Sequence, residues 1–247
     1  RWSMVCQRRE RLFRLDRDLR VRYIYTSLAP LQLGYVKRNA LASVFDLHVH
    51  TNRGSPDSAL APEELVSEAQ RLGLTGVMVT EHDGWPRHDF DAFARDQELV
   101  LVRALELYTP LGHVITMGLD AHVAGYSEDL ETIRKLRNEV DRVGGFMILA
   151  HPFRFLFDLP NYTQNMLYRD ASKTPKTADE AAQHLVFELV DEIEVVNGGN
   201  IEVENRFAQE VAALLGRWGT GGSDAHSTDG FAKGVTVFNG DIRNERD

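Results

Sequence analysis

From residue 44 onward, short apolar runs alternate with segments whose apolar residues recur at helical spacing. The apolar runs predict strands at residues 44–50, 76–80, 100–105, 114–118, 146–150, 192–196, 219–222 and 235–238. The other segments predict helices at residues 62–72, 129–143 and 200–215. Strands that alternate with helices favour a mostly parallel sheet covered by helices. About seven such strands in about 200 residues favour a closed or nearly closed barrel over an open sheet.

Two segments depart from this alternation. Residues 1–43 predict a basic N-terminal extension, because residues 1–40 hold ten Lys or Arg against three Asp or Glu. The extension is interpreted as a solvated charged arm, a docking helix or a segment foreign to the folded domain. Residues 155–177 are aromatic and polar, and they predict an insertion over the barrel mouth, within a barrel domain that spans residues 44–247. A lid or a substrate-contacting loop is the role expected for this insertion.

Charge and composition exclude several classes of protein. The chain has a net charge of −9, and its residues 41–247 carry −16. Such an acidic body does not suit a broad surface that grips nucleic-acid phosphates, whereas it suits a protein that gathers cations. The single cysteine, Cys6, excludes a disulfide framework and a thiolate metal site, and is compatible with the reducing cytoplasm that we expect as the location. The partly apolar residues 21–36 are too short and too interrupted to span a membrane, so no membrane partner is expected.

Histidines and carboxylates gather where the predicted strands end. They are His48, His50, His82, Glu106, His113, His151, Asp224 and His226, with Asp57 in the loop after the first strand. Each is unremarkable alone, but in an α/β barrel these strand ends face one mouth. Packing so many ionisable groups together is costly unless cations neutralise the carboxylates. His with Asp or Glu and no Cys is typical of sites for Zn, Mn or Fe.

Six short motifs, in this order along residues 45–240, resemble those of the PHP family of polymerase and histidinol phosphatase domains. They are Asp-Leu-His-Val-His-Thr, Thr-Glu-His-Asp, Ala-Leu-Glu, Gly-His-Val, Ala-His-Pro and Ser-Asp-Ala-His. The resemblance implies an α/β fold, a distorted (β/α)7 TIM-like barrel with up to three divalent metal ions. One departure is Glu81, which stands where the family most often has Asp. Because Glu81 is not an expected ligand, only the hydrogen bonding around the metal site is put in question.

By motif position, the resemblance implies three groups of ligands. The first ion is expected on His48, His50, Glu106 and Asp224. The second ion is expected on Asp57, His82 and His226, and the third on His113, His151 and a bridging Glu106.

The function implied is that of a metal-dependent phosphoesterase, or phosphatase, acting on a phosphate ester of a small molecule or nucleotide through metal-bound hydroxide. Arg154 is the candidate for an additional phosphate clamp, because guanidinium binds phosphate in bidentate fashion. Asp83 is expected to orient His82 or to pass a proton to the leaving group. Ser223 is interpreted as a turn residue. Residues 197–200 are interpreted as a glycine turn with Asn200 as a helix cap, or else as lining of the mouth.

Two alternatives remain open at this point. One is a 3'-5' exonuclease-like phosphodiesterase that acts on nucleic-acid ends, which the acidic body disfavours. The other is a non-catalytic barrel that binds a partner. Such a module is expected to have lost ligands, whereas all nine positions here hold residues able to bind metal.

Overall fold

The computed structural model describes residues 22–25, 42–121, 130–158 and 165–247. In these ranges the strands are β1 (Arg22–Tyr25), β2 (Ala42–Val49), β3 (Gly76–Glu81), β4 (Val100–Thr109), β5 (Gly112–Met117), β6 (Phe146–Leu149), β7 (Glu192–Asn197), β8 (Thr220–Gly222) and β9 (Gly234–Asn239). The α-helices are α1 (Pro62–Leu72), α2 (Arg87–Arg95), α3 (Leu130–Arg142), α4 (Ala178–Ala182) and α5 (Glu202–Leu214). Every predicted strand and helix is present, with small shifts at its ends. The strand β1 and the helices α2 and α4 were not predicted.

The strands form one mixed sheet in the order β1-β9-β2-β3-β4-β5-β6-β7-β8. The pairs β2–β3, β3–β4, β6–β7 and β7–β8 are parallel, whereas β1–β9, β9–β2, β4–β5 and β5–β6 are antiparallel. The prediction of a mostly parallel sheet is therefore wrong. The reason is local: β4 and β5 are joined by a tight turn between Thr109 and Gly112, too short for a crossover helix, so β5 runs backwards.

The sheet curls until its ends meet, which gives a nearly closed barrel of the eight strands β2 to β9. Two backbone hydrogen bonds close it beside β2. Asp224 N donates to His48 O at 2.7 Å, and His50 N donates to Ala225 O at 3.0 Å. This architecture confirms the predicted distorted TIM-like α/β barrel. It also places the closing seam at the segments that carry the conspicuous histidines.

The helices pack apolar faces onto the sheet. Helix α1 buries Leu65, Val66 and Ala69, and it ends where Gly73 adopts a left-handed conformation (φ 79°), which glycine reaches without strain. Helices α3 and α5 share a large buried cluster with β6 and β7. In the described part of the chain, no helix is both long and apolar enough to cross a membrane.

The two segments outside the predicted alternation are described only in part. Strand β1, inside the predicted extension, pairs antiparallel with β9 and so adds a strand to the sheet. The rest of residues 1–41 lies outside the described residues, as do residues 159–164 of the predicted insertion. Leu156, Leu167 and Tyr168 of the insertion join the core cluster. A role of the insertion as lid or substrate-contacting loop stays a prediction.

Candidate metal centre

Strand β2 delivers two histidines to the barrel mouth. His48 and His50 lie on the same face, since alternate residues of a strand point the same way, and both imidazoles are fully buried. Their Nε2 atoms are 3.1 Å apart. Strand β8 packs directly against His48, so closely that a Cβ at Gly222 would lie 2.3 Å from His48 Cβ. Only glycine leaves room for His48 at this seam.

Hydrogen bonds behind the two rings determine which nitrogen faces the centre. His48 Nδ1 lies 3.0 Å from Glu194 Oε1, a carboxylate that can only accept when ionised. His50 Nδ1 lies 3.1 Å from Ser55 Oγ, which itself donates to Glu81 Oε2 at 2.6 Å. Ser55 Oγ must therefore accept its hydrogen bond from His50. With Nδ1 donating in both rings, each neutral imidazole presents the lone pair of Nε2 to the centre.

Glu106 on β4 lies at the middle of the site and is buried. Its Oε1 is 3.2 Å from His48 Nε2, 2.9 Å from His113 Nδ1 and 3.1 Å from His151 Nε2. Its Oε2 is 3.3 Å from His50 Nε2 and 3.4 Å from His82 Nδ1. The β4–β5 hairpin brings His113 within reach, because it pairs His113 with Tyr108, two residues after Glu106. One carboxylate thus contacts five imidazoles, as a bridging ligand does.

Asp224 and His151 reach the site from strained backbone conformations. Asp224 follows β8 with φ 57°, and His151 follows β6 with φ 27°. Asp224 Oδ1 lies 3.3 Å from His48 Nε2 and 3.2 Å from His50 Nε2. Non-glycine residues in this region cost about 1–3 kcal/mol each and concentrate at functional sites. The strain marks both residues as functional candidates.

A more exposed group lies on the solvent side of His50. Asp57 Oδ2 is 3.4 Å from both His82 Nε2 and His226 Nε2. The His82 and His226 rings each stack on His50 at 4.3 Å between centroids. His82 and His226 are about 30% exposed, and Asp57 is 59% exposed. Solvent therefore reaches the site from this side.

The donor atoms fall into compact sets that fit metal ions. His48, His50, Glu106 and Asp224 form one set, and Glu106, His113 and His151 form another. A third set joins His82 and His226 to His50, with Asp57 beside it. Neighbouring donors are mostly 3.1–3.4 Å apart. Two ligands of one tetrahedral ion, each about 2.0–2.1 Å from it, are about 3.3 Å apart. The residues thus suit metal binding, while the assignment of each ligand stays a prediction.

The buried charges of the site shift its pKa values strongly. Burial lowers the pKa of His48, but the carboxylates of Asp224, Glu194 and Glu106 outweigh it and hold that pKa well above its usual range. Burial also opposes the charge of His50, yet hydrogen bonds to Asp224 and Glu106 raise its pKa to about 9. Burial alone would raise the pKa of Glu106 and Asp224, but the imidazoles hold both pKa values well below normal. The ionised carboxylates of the site thus favour a positive charge on the His48 and His50 rings.

His151 differs from the other two buried imidazoles. Burial and the nearby Arg154 guanidinium lower the pKa of His151 to about 4, against the pull of Glu106 and Asp224. His151 is therefore neutral at physiological pH, so one of its ring nitrogens carries no proton. A neutral imidazole is the form that binds metal.

The sequence interpretation missed Glu194. This carboxylate lies on β7 and is buried, with Oε1 at His48 Nδ1. Its Oε2 accepts from His151 N and from Asn197 Nδ2, both at 2.9 Å. The available signal was an acidic residue inside the apolar run Glu-Ile-Glu-Val-Val-Asn, a position where an ionised group needs partners.

The two residues predicted to act directly on the substrate lie in different settings. Asp83 follows β3 with an exposed side chain, and its backbone N donates to Gly54 O at 2.7 Å. Arg154 is half-buried, and its Nη2 lies 2.7 Å from Asp224 Oδ2 and 2.6 Å from Asn197 Oδ1. The roles of Asp83 and Arg154 remain predictions.

Three more residues near the site, Asn200, Ser223 and Glu81, were given local roles from the sequence. Asn200 does not cap α5, because Ile201 is the N-cap residue and its backbone N donates to Glu204 Oε2 at 3.3 Å. The Asn200 amide oxygen instead accepts from Arg154 Nε at 3.0 Å. Ser223 is a turn residue as predicted, since its Oγ accepts from Ala225 N at 3.2 Å. Glu81 holds the loop after β2 by accepting from Ser55 Oγ and from Thr51 N.

Known proteins share parts of this sequence and this fold. Error-prone DNA polymerases of Nocardia farcinica and Mycobacterium tuberculosis are 50% and 51% identical to the chain over 40 and 39 residues. These segments cover 16% of this chain and only 4% of each polymerase. A crystal structure of a candidate metal-dependent phosphoesterase from Bifidobacterium adolescentis superposes with a TM-score of 0.53 at 15% identity, over 74% of this chain and 87% of that one. PsfC from Pseudomonas syringae also gives 0.53, at 17% identity over 82% and 85%.

Family profiles match most of the barrel. The profile of the PHP domain matches residues 46–188, and a profile described as PHP-associated matches residues 202–247. The PHP match alone covers more than half of the chain and includes seven of the nine predicted ligands. The chain therefore belongs to the PHP domain family.

Proposed function

We propose that the chain is a metal-dependent phosphoesterase that hydrolyses a phosphate ester of a small molecule or nucleotide. The observation that carries this proposal is the position of Glu106, a buried carboxylate whose two oxygens contact five imidazoles within 3.4 Å. A purely structural role does not require a carboxylate to contact five imidazoles. A role as a ligand shared between metal ions does require several imidazoles around the same carboxylate.

The proposed ligands are the nine residues found around Glu106. His48, His50, Glu106 and Asp224 would hold one ion, Asp57, His82 and His226 a second, and His113 and His151 with Glu106 a third. Zn, Mn and Fe suit these nitrogen and oxygen donors. When bound, such ions lower the pKa of water toward 7 and stabilise negative charge on phosphoryl oxygens.

The protein's own groups orient the ligands and shape the approach of the substrate. Glu194 and Ser55 keep the His48 and His50 rings turned with Nε2 inward. The partly exposed rings of His82 and His226 define the side from which a phosphate group enters. Arg154 adds a positive charge beside Asp224, where it would attract the phosphate. Asp83, which is exposed, would orient His82 or carry the proton to the leaving-group oxygen.

The test combines metal analysis with phosphate release. The purified chain is stripped with a chelator and reloaded with Mn or Zn, and bound metal and hydrolysis of 4-nitrophenyl phosphate are measured. We expect more than one ion per chain and activity that the chelator abolishes. His113→Ala should lose metal and activity, whereas His88→Ala, which changes a histidine that is 95% exposed, should not. Less than one bound ion per chain under metal-replete conditions would disprove the proposed centre.

A second candidate is a 3'-5' exonuclease-like phosphodiesterase. The 50% identity over 40 residues with an error-prone DNA polymerase favours it, whereas the charge of −16 on residues 41–247 opposes a nucleic-acid surface. A screen of the metal-loaded chain against phosphorylated metabolites and 3'-labelled oligonucleotides separates the two. Shortening of oligonucleotides without release of phosphate from monoesters would establish the phosphodiesterase. Binding of either ligand without turnover would instead indicate a non-catalytic module.

A further inference from the structure

Behind the candidate metal centre, one hydrogen-bonded chain joins ligands that come from different strands. It starts at His48 and His151, which both contact Glu194. Glu194 Oε2 accepts from Asn197 Nδ2 at 2.9 Å. Asn197 Oδ1 accepts from Arg154 Nη2 at 2.6 Å, and the same Nη2 lies 2.7 Å from Asp224 Oδ2. The chain therefore runs from β2 and β6 through β7 to the end of β8.

Asn197 is the middle link, and its position leaves it little freedom. The side chain is buried, and its amide NH2 and oxygen face opposite charges, Glu194 on one side and Arg154 on the other. These partners determine the orientation of the amide, because the NH2 group can only donate and the oxygen can only accept. Asn205 on α5 also brackets the Asn197 backbone, accepting from its N at 3.0 Å and donating to its O at 3.1 Å.

We propose that Glu194 and Asn197 are positioning residues that couple His48 and His151 to Asp224 and so determine the metal affinity of the centre. This inference rests on the proposed function, because it assumes that these three residues hold metal. Neither residue is among the nine proposed ligands. Glu194 acts through His48 and His151, and Asn197 acts through Glu194 and Arg154. Of the two, Glu194 orients the imidazole of His48 and holds the backbone of His151, while Asn197 links Glu194 to Arg154 and, through it, to Asp224.

The hydrogen bonds that Glu194 accepts explain why an ionised carboxylate with two accepting oxygens is needed at this position. It accepts from His48 Nδ1, His151 N and Asn197 Nδ2, and it donates nothing. A glutamine at this position has one accepting oxygen, so its NH2 group must face at least one of these donors. If it faces His48, that ring keeps its hydrogen bond only by moving its proton to Nε2, where the proton blocks metal binding.

The consequences of changing Asn197 follow in the same way. Asn197→Ala removes the link between Glu194 and Arg154, so Arg154 keeps Asp224 and Asn200 as its polar partners. Asn197→Asp retains an oxygen for Arg154 but places a second carboxylate against Glu194 Oε2. Repulsion between the two carboxylates would turn Glu194 away from His48 or His151.

The experiment measures metal binding rather than turnover. The wild-type chain, Glu194→Gln, Asn197→Ala and Asn197→Asp are stripped of metal and titrated with Co(II). Both the dissociation constant and the visible absorption spectrum of bound Co(II) are recorded. The matched control is Glu192→Gln, the same chemical change two residues earlier on β7, where the carboxylate accepts from Gly219 N at 2.6 Å. Melting temperatures of all metal-free chains report on folding.

We expect Glu194→Gln and Asn197→Ala to bind Co(II) about 10- to 100-fold more weakly with an altered spectrum, as is usual when the partner of a metal ligand is lost. Glu192→Gln should keep the affinity and spectrum of the wild type. If the site variants lower the melting temperature but bind Co(II) as tightly and with the same spectrum as wild type, their role is structural only and the inference is overturned. If wild type itself binds no metal, the proposed function fails first, so the two failures are distinguishable.

Discussion

Replacing Glu106 by glutamine should remove most of the stabilisation that metal gives this protein. Glutamine keeps the volume of the side chain but replaces one anionic oxygen with an NH2 group. Glu106 uses Oε1 toward three imidazoles and Oε2 toward two, so either orientation of the new amide turns a donor toward ring nitrogens. Because Glu106 belongs to two of the donor sets, one set loses its Glu106 oxygen and the other keeps only an uncharged amide oxygen.

The size of the effect follows from these contacts. Losing the hydrogen-bond partner of a metal ligand costs about 10- to 100-fold in affinity, so losing a shared ligand should cost at least about 100-fold. Metal at about 100 times the wild-type dissociation constant stabilises the folded chain by about 2.7 kcal/mol. In a domain of this size that raises the melting temperature by about 5–11 °C. At the same metal concentration, the weakened variant gains only about 0.4 kcal/mol, or about 1–2 °C.

The assay is differential scanning calorimetry of each chain with metal and with chelator, in which the metal-induced increment is compared rather than the absolute melting temperature. A change in packing shifts both scans of a variant together and cancels in the increment. Glu192→Gln, which removes a carboxylate outside the donor sets, should keep the increment of the wild type. An increment in Glu106→Gln equal to that of wild type would refute the assignment of Glu106 as a shared ligand.

Three further changes test the centre from other directions. His151→Ala should abolish phosphate release, because one imidazole near Glu106 is lost, while circular dichroism shows that the chain is still folded. Activity close to that of wild type would contradict the role of His151 as a ligand. Gly222→Ala should destabilise the barrel by about 1–3 kcal/mol or more, measured by urea unfolding, because the new Cβ meets His48 Cβ at 2.3 Å. The metal-free chain should lose stability as pH rises from about 6.5 through 9, because the pKa of His50 is raised to about 9 and the folded state therefore binds the extra proton more tightly. Metal affinity should rise over the same range, since metal displaces that proton, and a metal affinity that falls with pH would contradict this account.

The spacing of apolar residues predicted a helix or strand accurately where that element has a single clear pattern. Helix α1 has the predicted bounds, because Pro62, a single apolar stripe and Gly73 all agree. Helix α2 was missed because it spans only Arg87–Arg95 and its apolar stripe is short, with Phe90 buried and Phe93 and Ala94 partly buried beside it. The antiparallel direction of β5 was also missed. It depends on the number of residues that link β4 to β5, which is too small for a crossover helix, and not on the pattern of apolar residues within either strand.

Strand-end position and the family resemblance together selected side chains that the structure gathers around Glu106, while their roles as metal ligands stay predictions. They did not identify the residues that orient them. Glu194 and Asn197 act through pairings between strands far apart in the sequence, and no local spacing reveals such contacts. The assignment of Asn200 as a cap was wrong for the same reason: its amide binds Arg154 instead of the helix.

The closing seam of the barrel and the candidate metal centre are made of the same residues. His48 O and Asp224 N form a backbone bond that closes the sheet, while the side chains of both residues face the centre. Asp224 has φ 57° and His151 has φ 27°, conformations that persist only when surrounding contacts enforce them. His48 O holds the first and Glu194 Oε2 holds the second. A metal bound across this seam would therefore tie β2 to the end of β8 and offset the strain. For this reason we expect metal binding to stabilise closure of the barrel as a whole, and not only the side chains that contact the ion.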